Sequence, residues 1–173
     1  MSASADFVAL NVAVLTVSDT RGSHNDTSGD YLAEAAQEAG HTVARRSLVR
    51  DDIYQIRAEI SAWIADAEVQ VVLITGGTGF AGRDSTPEAV APLLDKRIEG
   101  FGEVFRALSL AEIGSSTIQS RALGGLANRT VVFCIPGSTG ACRTAWNGVI
   151  RDQLDSTHRP CNFVAVLTGT SAS

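Results

Sequence analysis

Lysine is nearly absent from this 173-residue chain. Of its 14 lysine and arginine residues only Lys96 is lysine, so the Gly-Lys-Ser/Thr sequence of a phosphate-binding P-loop cannot be present. Acidic residues number 19, which gives a formal net charge of −5. This negative balance argues against a nucleic-acid backbone or an anionic membrane as the main partner. We therefore expect no nucleic-acid partner and no membrane partner.

Cysteine is also scarce. The three cysteines, Cys134, Cys142 and Cys161, are an odd number without C-x-x-C spacing, so neither a disulfide framework nor a zinc site is expected. No apolar run approaches the roughly 18 residues that a membrane span requires. The first residues lack the basic, apolar and small-residue pattern of a signal peptide. These absences predict a reduced, cytoplasmic protein.

The composition is that of an ordinary globular domain, because hydrophobic residues make up 45% of the chain and charged residues 19%. At roughly 100–200 residues per domain, the length predicts one domain. We place that domain at residues 8–167 and expect frayed ends at 1–7 and 168–173.

Short apolar runs alternate with segments of helical periodicity along the chain. We predict strands at 11–17, 42–49, 69–74, 130–135 and 162–167. We predict helices that begin at Thr27 or Ser28, after Asp51 or Asp52 and near Pro87, and further helices at 101–113 and 141–154. This alternation predicts an α/β fold with three layers, α/β/α, around a mostly parallel sheet. Ligands of such folds bind beyond the carboxyl ends of the strands, so the loops after the first strand, the third strand and 130–135 are candidate sites.

The loop after the third strand contains a G-x-G-x-x-G match at Gly77–Gly82. The dinucleotide-binding fingerprint belongs to the first βαβ unit and needs an acidic residue about 20 residues later, at the end of the next strand. Here the loop follows the third strand, and the acidic residues Glu99 and Glu103 fall in or beside a helix. The match therefore does not favour a nicotinamide enzyme.

The glycines of this loop nonetheless allow two interpretations. They can serve only a tight strand-to-helix turn, or they can let backbone N–H groups approach phosphate oxygens without interference from a Cβ atom. Phosphate binding is favoured because the loop combines a buried strand, the sequence T-G-G-T-G, a gap of four residues and then Asp84.

Asp84 has two interpretations of its own. It can cap the helix predicted near Pro87, or it can bind Mg²⁺, which commonly takes one or two carboxylates and completes its shell with water and phosphate oxygens. Phosphoryl and nucleotidyl transfer require at least a phosphate-binding loop beside a carboxylate.

The segment 73–84, L-I-T-G-G-T-G-F-A-G-R-D, resembles the signature of the MoaB/MogA family of molybdenum cofactor biosynthesis proteins. Further matches are T-V-S-D at 16–19, G-F-G-E at 100–103 and P-G-S at 136–138. The resemblance runs from about residue 8 to residue 167. The stretches 62–64, 142–146 and 159–163 are similar to the bacterial MoaB branch in particular.

The resemblance implies the MoaB/MogA fold and a homo-oligomer, either a trimer or a hexamer of paired trimers. It implies Mg²⁺-dependent adenylylation of molybdopterin, in which a phosphate of the pterin attacks the α-phosphorus of ATP and releases pyrophosphate. The implied cofactor is Mg²⁺, the co-substrate is ATP and the substrate is molybdopterin. The alternative is a non-catalytic molybdopterin-binding or scaffold protein of the same pathway.

The resemblance also implies roles for individual residues. Asp84 would be catalytic and hold the metal, and Asp51 would be a second catalytic carboxylate unless it only caps a helix. The implied phosphate- and pterin-binding residues are Thr75, Gly76, Gly77, Thr78, Gly79, Ser18, Asp19, Glu103, Ser120, Arg121, Gly137 and Ser138. Bland alternatives remain for three of these: Glu103 as a solvated helix residue, Arg121 as a surface arginine and Ser138 as a helix cap.

Overall fold

A computed structural model describes residues 6–170 and contains one six-stranded sheet. The strands are β1 (Asn11–Val17), β2 (Thr42–Val49), β3 (Val71–Thr75), β4 (Lys96–Arg97), β5 (Leu123–Ala127) and β6 (Thr130–Ile135). The helices are α1 (Thr27–Glu38), α2 (Ile53–Ala65), α3 (Thr86–Val90), α4 (Glu99–Ile113), α5 (Thr139–Ala145), α6 (Arg151–Gln153) and α7 (Val164–Thr168). Short 3-10 turns lie at Ala91–Leu93 and Gly114–Gln119, and a π-helical turn at Trp146–Ile150 joins α5 to α6.

The strand order is β2-β1-β3-β6-β5-β4. The four strands from β2 to β6 pair in parallel, and β5 and β4 extend the sheet with antiparallel pairs. The central strands β3 and β6 are buried along their whole length, which explains why their sequences are continuous apolar runs instead of alternating ones.

Two hydrophobic clusters cover the two faces of the sheet. On one face Val14 and Leu73 pack with buried side chains of α1, α4 and α5. On the other face Leu15 and Ile74 pack with buried side chains of α2 and α3. Neighbouring residues of a strand thus enter opposite layers, as the pleat requires. The predicted three-layer α/β/α architecture is confirmed.

The structure corrects the prediction of a final strand at 162–167. Most of this segment belongs instead to the helix α7 (Val164–Thr168), in which Val164 and Leu167 are buried three residues apart. A short apolar run fits a strand or a buried helical turn equally well when periodicity is the only guide. The sequence prediction also missed β4 and β5. In β5 a Cβ atom at Gly125 would lie 2.7 Å from the Lys96 carbonyl oxygen. Glycine at this position therefore lets β4 pair beside β5.

The predicted frayed ends lie partly outside the described residues, because 1–5 and 171–173 are not among them. Near the described N-terminus, the ring of Phe7 lies 5.3 Å from that of His41. Among the helices at 6–170, none is both long enough and apolar enough to cross a membrane.

His41 is a buried titratable group remote from the predicted site. Its Nδ1 accepts a hydrogen bond from the Leu10 N–H at 3.2 Å, just before β1. Burial lowers the pKa of His41 below the ordinary 6.5, although the nearby charge of Asp155 opposes the shift. Folded His41 therefore resists protonation more than an exposed histidine does, and the hydrogen bond from Leu10 places the proton of its neutral form on Nε2.

We expect this histidine to make stability depend on pH. As the pH falls below 6.5, the unfolded chain binds a proton that folded His41 resists, so the free energy of unfolding decreases. The urea midpoint should be lower at pH 5.5 than at pH 7.5, and His41→Asn should reduce that difference. His24→Asn, which changes an exposed loop residue, is the matched control. An unchanged pH dependence in His41→Asn would contradict the assignment.

Candidate functional site

A cavity of about 540 Å³ opens at the carboxyl ends of the parallel strands. It is lined by residues that follow β1, β2, β3 and β6, and by the segments before α3 and before β5. The strand order reverses here, because the chain runs from β1 outward to β2 and then returns to β3 on the other side of β1. Such a switch point is where open α/β sheets bind their ligands.

Most of the residues predicted from the sequence meet in this cavity. Its lining includes Ser18, Asp19, Asp51, Thr75, Gly76, Gly77, Thr78, Gly79, Asp84, Ser120 and Gly137. Glu103, Arg121 and Ser138 are not part of the lining. The sequence reasoning missed Arg21, Arg83 and Gln119, which also line it. The signal for Arg83 was its position directly before Asp84.

The segment Gly76–Gly79, which we call the glycine loop, begins with two residues in the left-handed region. Gly76 has φ +102° and Gly77 has φ +66°. A Cβ atom on Gly76 would lie 2.1 Å from the Val17 carbonyl oxygen, so no other residue fits. The Gly76 N–H donates to the Ile135 carbonyl oxygen at 3.0 Å. Gly76 thus passes tightly between the ends of β1 and β6.

The backbone N–H groups that follow Gly76 differ from that of Gly76 in their hydrogen bonding. Within residues 6–170, the N–H groups of Gly77, Thr78 and Gly79 have no acceptor. All three residues line the cavity. Unpaired backbone donors at a cavity wall are suited to an anionic ligand.

Asp84 turns its carboxylate toward this loop. Its Oδ2 accepts the Ala81 N–H at 2.7 Å, and a Cβ atom on Gly79 would lie 2.7 Å from the same oxygen. Ser85, not Asp84, is the N-cap residue of α3, and its side chain makes no capping hydrogen bond. Asp84 therefore does not cap the helix, and its carboxylate belongs to the cavity wall.

Asp51 is buried and joins two loops. Its Oδ1 accepts from Ser85 N at 3.0 Å and from Ser85 Oγ at 2.5 Å, while its N–H donates to Asp19 Oδ1 at 3.2 Å. The N-cap of α2 is Asp52, whose carboxylate accepts the Tyr54 and Gln55 N–H groups. The structure thus rules out helix capping as the role of Asp51.

An ion pair crosses from the loop after β1 to the loop before α3. Arg83 donates through Nε to Asp19 Oδ2 at 2.5 Å and through a terminal nitrogen to Asp19 Oδ1 at 2.9 Å. The hydrogen bond from Arg83 lowers the pKa of Asp19, so this carboxylate is ionised over a wide pH range. Both charges lie at the cavity.

Arg121 lies behind the glycine loop. Its guanidinium donates to the carbonyl oxygens of Gly79 at 2.9 Å and Asp84 at 2.8 Å, pairs with Glu88, and lies 5.1 Å from the ring centre of Phe80. Each of its three guanidinium nitrogens thus donates to a group within the protein.

Two other predicted residues lie elsewhere. Glu103 is exposed on α4, and Ser138 caps α5 by accepting the Ala141 N–H at 3.1 Å. Their predicted ligand roles stay predictions, and the capping interpretation describes what Ser138 does within the chain.

The thiol nearest the cavity is not a nucleophile. Cys142 Sγ lies 3.3 Å from Thr75 Oγ1 behind the end of β3, and burial raises the pKa of Cys142 to about 11. It is therefore a neutral packing residue at physiological pH.

A metal would find few protein ligands here. No group of three or more histidine, cysteine or acidic side chains within residues 6–170 is arranged to hold a metal ion. The carboxylates at the cavity nevertheless supply the hard oxygen donors that Mg²⁺ prefers, and Mg²⁺ commonly keeps waters and phosphate oxygens as its other ligands.

Comparison with known proteins identifies the family. A family model described as "Probable molybdopterin binding domain" matches residues 13–156. Molybdenum cofactor biosynthesis protein B of Escherichia coli K12 is 58% identical over 160 residues, which cover 92% of this chain and 94% of the relative.

Solved structures agree. A crystal structure of a molybdenum cofactor biosynthesis protein B superposes with a TM-score of 0.82 at 47% identity, covering 85% of this chain and 92% of the other. The tungsten cofactor synthesizing protein MoaB from Pyrococcus furiosus gives 0.74 at 36% identity, covering 82% and 90%. The resemblance noted in the sequence is confirmed, and the chain belongs to the MoaB/MogA family of molybdenum cofactor biosynthesis proteins.

Proposed function

We propose that this protein is a molybdopterin adenylyltransferase that uses ATP and Mg²⁺ in the cytoplasm. One observation carries the proposal: the backbone N–H groups of Gly77, Thr78 and Gly79, which have no acceptor in the described part of the chain, share a cavity with the carboxylate of Asp84. This is the combination that nucleotidyl transfer needs, since its catalysis rests on holding phosphate oxygens and neutralising their charge.

In the proposed reaction a phosphate oxygen of molybdopterin attacks the α-phosphorus of ATP. A new P–O bond forms, the bond between the α-phosphorus and the bridging oxygen breaks, and its electron pair leaves with pyrophosphate. The N–H groups of the glycine loop would bind the phosphate oxygens on which negative charge accumulates. Arg83 and Arg21 line the same cavity and would add positive charge.

The charges of the cavity support a requirement for magnesium. Asp19, Asp51 and Asp84 line it against Arg21 and Arg83, so the acidic side chains outnumber the basic ones. Two anionic substrates would be repelled by such a surface without a cation. Asp84 would hold Mg²⁺, which supplies charge neutralisation at the phosphates.

A direct assay tests the proposal. Purified protein is given molybdopterin and MgATP, and pyrophosphate and adenylylated pterin are measured, with EDTA in a parallel reaction. The proposal expects both products, and neither of them with EDTA. Tight pterin binding without turnover would instead support the non-catalytic scaffold role.

We further propose that copies of the chain associate through α4 and the 3-10 turn after it. Five large apolar side chains there are 38–75% exposed: Val104, Leu108, Leu110, Ile113 and Ile118. Exposure of large apolar side chains to water is unfavourable, so we expect a second copy of the chain to cover them.

Light scattering after gel filtration is expected to give the mass of a trimer or a hexamer. A Leu110→Glu, Ile118→Glu double variant should shift that mass toward the monomer. Val166→Glu alters an apolar residue of α7 that is 52% exposed, and it should leave the mass unchanged. A monomeric wild-type protein would contradict the assembly.

A further inference from the structure

Within residues 6–170, two residues, Thr86 and Arg121, donate all the hydrogen bonds that the carbonyl oxygens of the glycine loop accept. Thr86 Oγ1 donates to the Gly76 carbonyl oxygen at 2.8 Å, and Thr86 N donates to that of Gly77 at 3.0 Å. Arg121 donates to the Thr78 carbonyl oxygen from its backbone N and from Nε, both at 3.3 Å, and to that of Gly79 from Nε at 2.9 Å.

Fixing four successive carbonyl groups also fixes the N–H groups of the same peptides. A trans peptide is planar, and its N–H points away from its C=O. The four peptides carry the N–H groups of Gly77, Thr78, Gly79 and Phe80. None of these N–H groups has an acceptor among residues 6–170, although the carbonyl group of every one of the four peptides does.

Both residues are themselves held firmly. Thr86 is fully buried at the first position of α3 and is followed by Pro87. The guanidinium of Arg121 donates to the Asp84 carbonyl oxygen at 2.8 Å and pairs with Glu88. The side chain that orients the loop therefore also anchors the backbone of Asp84.

We infer that Thr86 and Arg121 are positioning residues, which orient the backbone N–H groups of Gly77, Thr78 and Gly79 toward the phosphate oxygens of a polyphosphate. Arg121 thus acts through the peptides it orients and not as the direct anion ligand expected from the sequence. The identity of the polyphosphate as a nucleotide rests on the proposed function, whereas anion binding by the loop can be tested without any turnover.

Conservative variants separate these roles. Thr86→Val keeps the shape of the side chain but cannot donate to the Gly76 carbonyl oxygen, whereas Thr86→Ser still can. Arg121→Lys keeps the charge but loses the planar set of donors that holds two or more carbonyls at once. Arg129→Lys, at an exposed position next to the start of β6, is the matched control.

The probe is inorganic tripolyphosphate with Mg²⁺, titrated by calorimetry into each folded variant, with circular dichroism as the check on folding. Thr86→Val and Arg121→Lys should each weaken binding about tenfold, because the free energy of about one hydrogen bond is lost. Thr86→Ser and Arg129→Lys should stay within about twofold of wild type. In protein labelled with ¹⁵N-glycine, the amide signals of Gly77 and Gly79 should shift with tripolyphosphate in the wild type, and shift less in the two weakened variants.

The outcomes are distinct. Wild-type affinity in Arg121→Lys would show that Arg121 acts through its charge and does not position the loop. Wild-type affinity with unchanged glycine shifts in Thr86→Val would overturn the inference. A wild-type protein that does not bind tripolyphosphate would overturn it as well. If binding and shifts behave as expected but no adenylylated pterin forms, the inference stands and the proposed function fails.

Discussion

The Asp84→Asn variant is expected to lose adenylyl transfer almost completely while it still binds molybdopterin. Asparagine has nearly the same size and retains an oxygen that can accept the Ala81 N–H, so the loop should keep its shape. It lacks the negative charge with which Asp84 would hold Mg²⁺ beside the phosphates. We expect a decrease in kcat of roughly 10²- to 10³-fold, the range found when one charge-stabilising group is removed from an active site.

Pyrophosphate release measures the rate, and fluorescence titration measures pterin binding. Glu68→Gln is the matched control, because it removes one exposed carboxylate from the loop before β3. This loop lies at the amino ends of the parallel strands, whereas the cavity lies at their carboxyl ends. An Asp84→Asn protein that turns over at the wild-type rate would remove Asp84 from the mechanism. A variant that loses pterin binding to the same degree as turnover would show that Asp84 shapes the pocket instead.

The Gly76→Ala variant is expected to have the largest effect on stability. Its Cβ atom would lie 2.1 Å from the Val17 carbonyl oxygen, a backbone atom that cannot move without displacing the end of β1. The φ of +102° is itself unfavourable for alanine. Strain and overlap together should reduce the free energy of unfolding by roughly 3 kcal/mol or more.

Gly82→Ala provides the matched comparison, since it changes a glycine in the connection between β3 and α3 where a Cβ atom would meet nothing within 4 Å. Its stability should stay within about 0.5 kcal/mol of the wild type. Urea unfolding of both variants gives the difference. If the two alanine variants unfold at the same urea concentration, the close approach of Gly76 to β1 is not a constraint.

The strands and loops that build the cavity could be predicted because their signals are local. β1 and β6 are largely apolar runs of strand length, and their predicted bounds match the observed ones. Once the sheet is taken as parallel, the loops that follow these strands must meet at one edge. The sequence alone therefore predicts that the glycine loop lies close to Asp19 and Gly137, and the structure places all of them at one cavity.

The parts that could not be predicted depend on contacts remote in sequence. Strand β4 has only two residues and exists because β5 lies beside it. Asp51 and Asp52 are adjacent carboxylates, and which of them caps α2 depends on backbone angles that composition does not reveal. The hydrogen bond from Arg121 to the Gly79 carbonyl oxygen spans 42 residues. The sequence therefore predicts an arginine near an anion site, but it does not show that this arginine binds carbonyl oxygens of the glycine loop.

The two outer strands of the sheet share a feature that bears on aggregation through strand pairing. β2 carries Arg45 and Arg46, and β4 is the exposed pair Lys96 and Arg97. A further strand that paired with β2 or β4 would have to desolvate these cations. In addition, β4 has only two residues with which another strand could pair. Fibril-like growth by strand addition is thereby discouraged at both outer strands, whereas the proposed association through α4 and the turn after it needs no strand pairing.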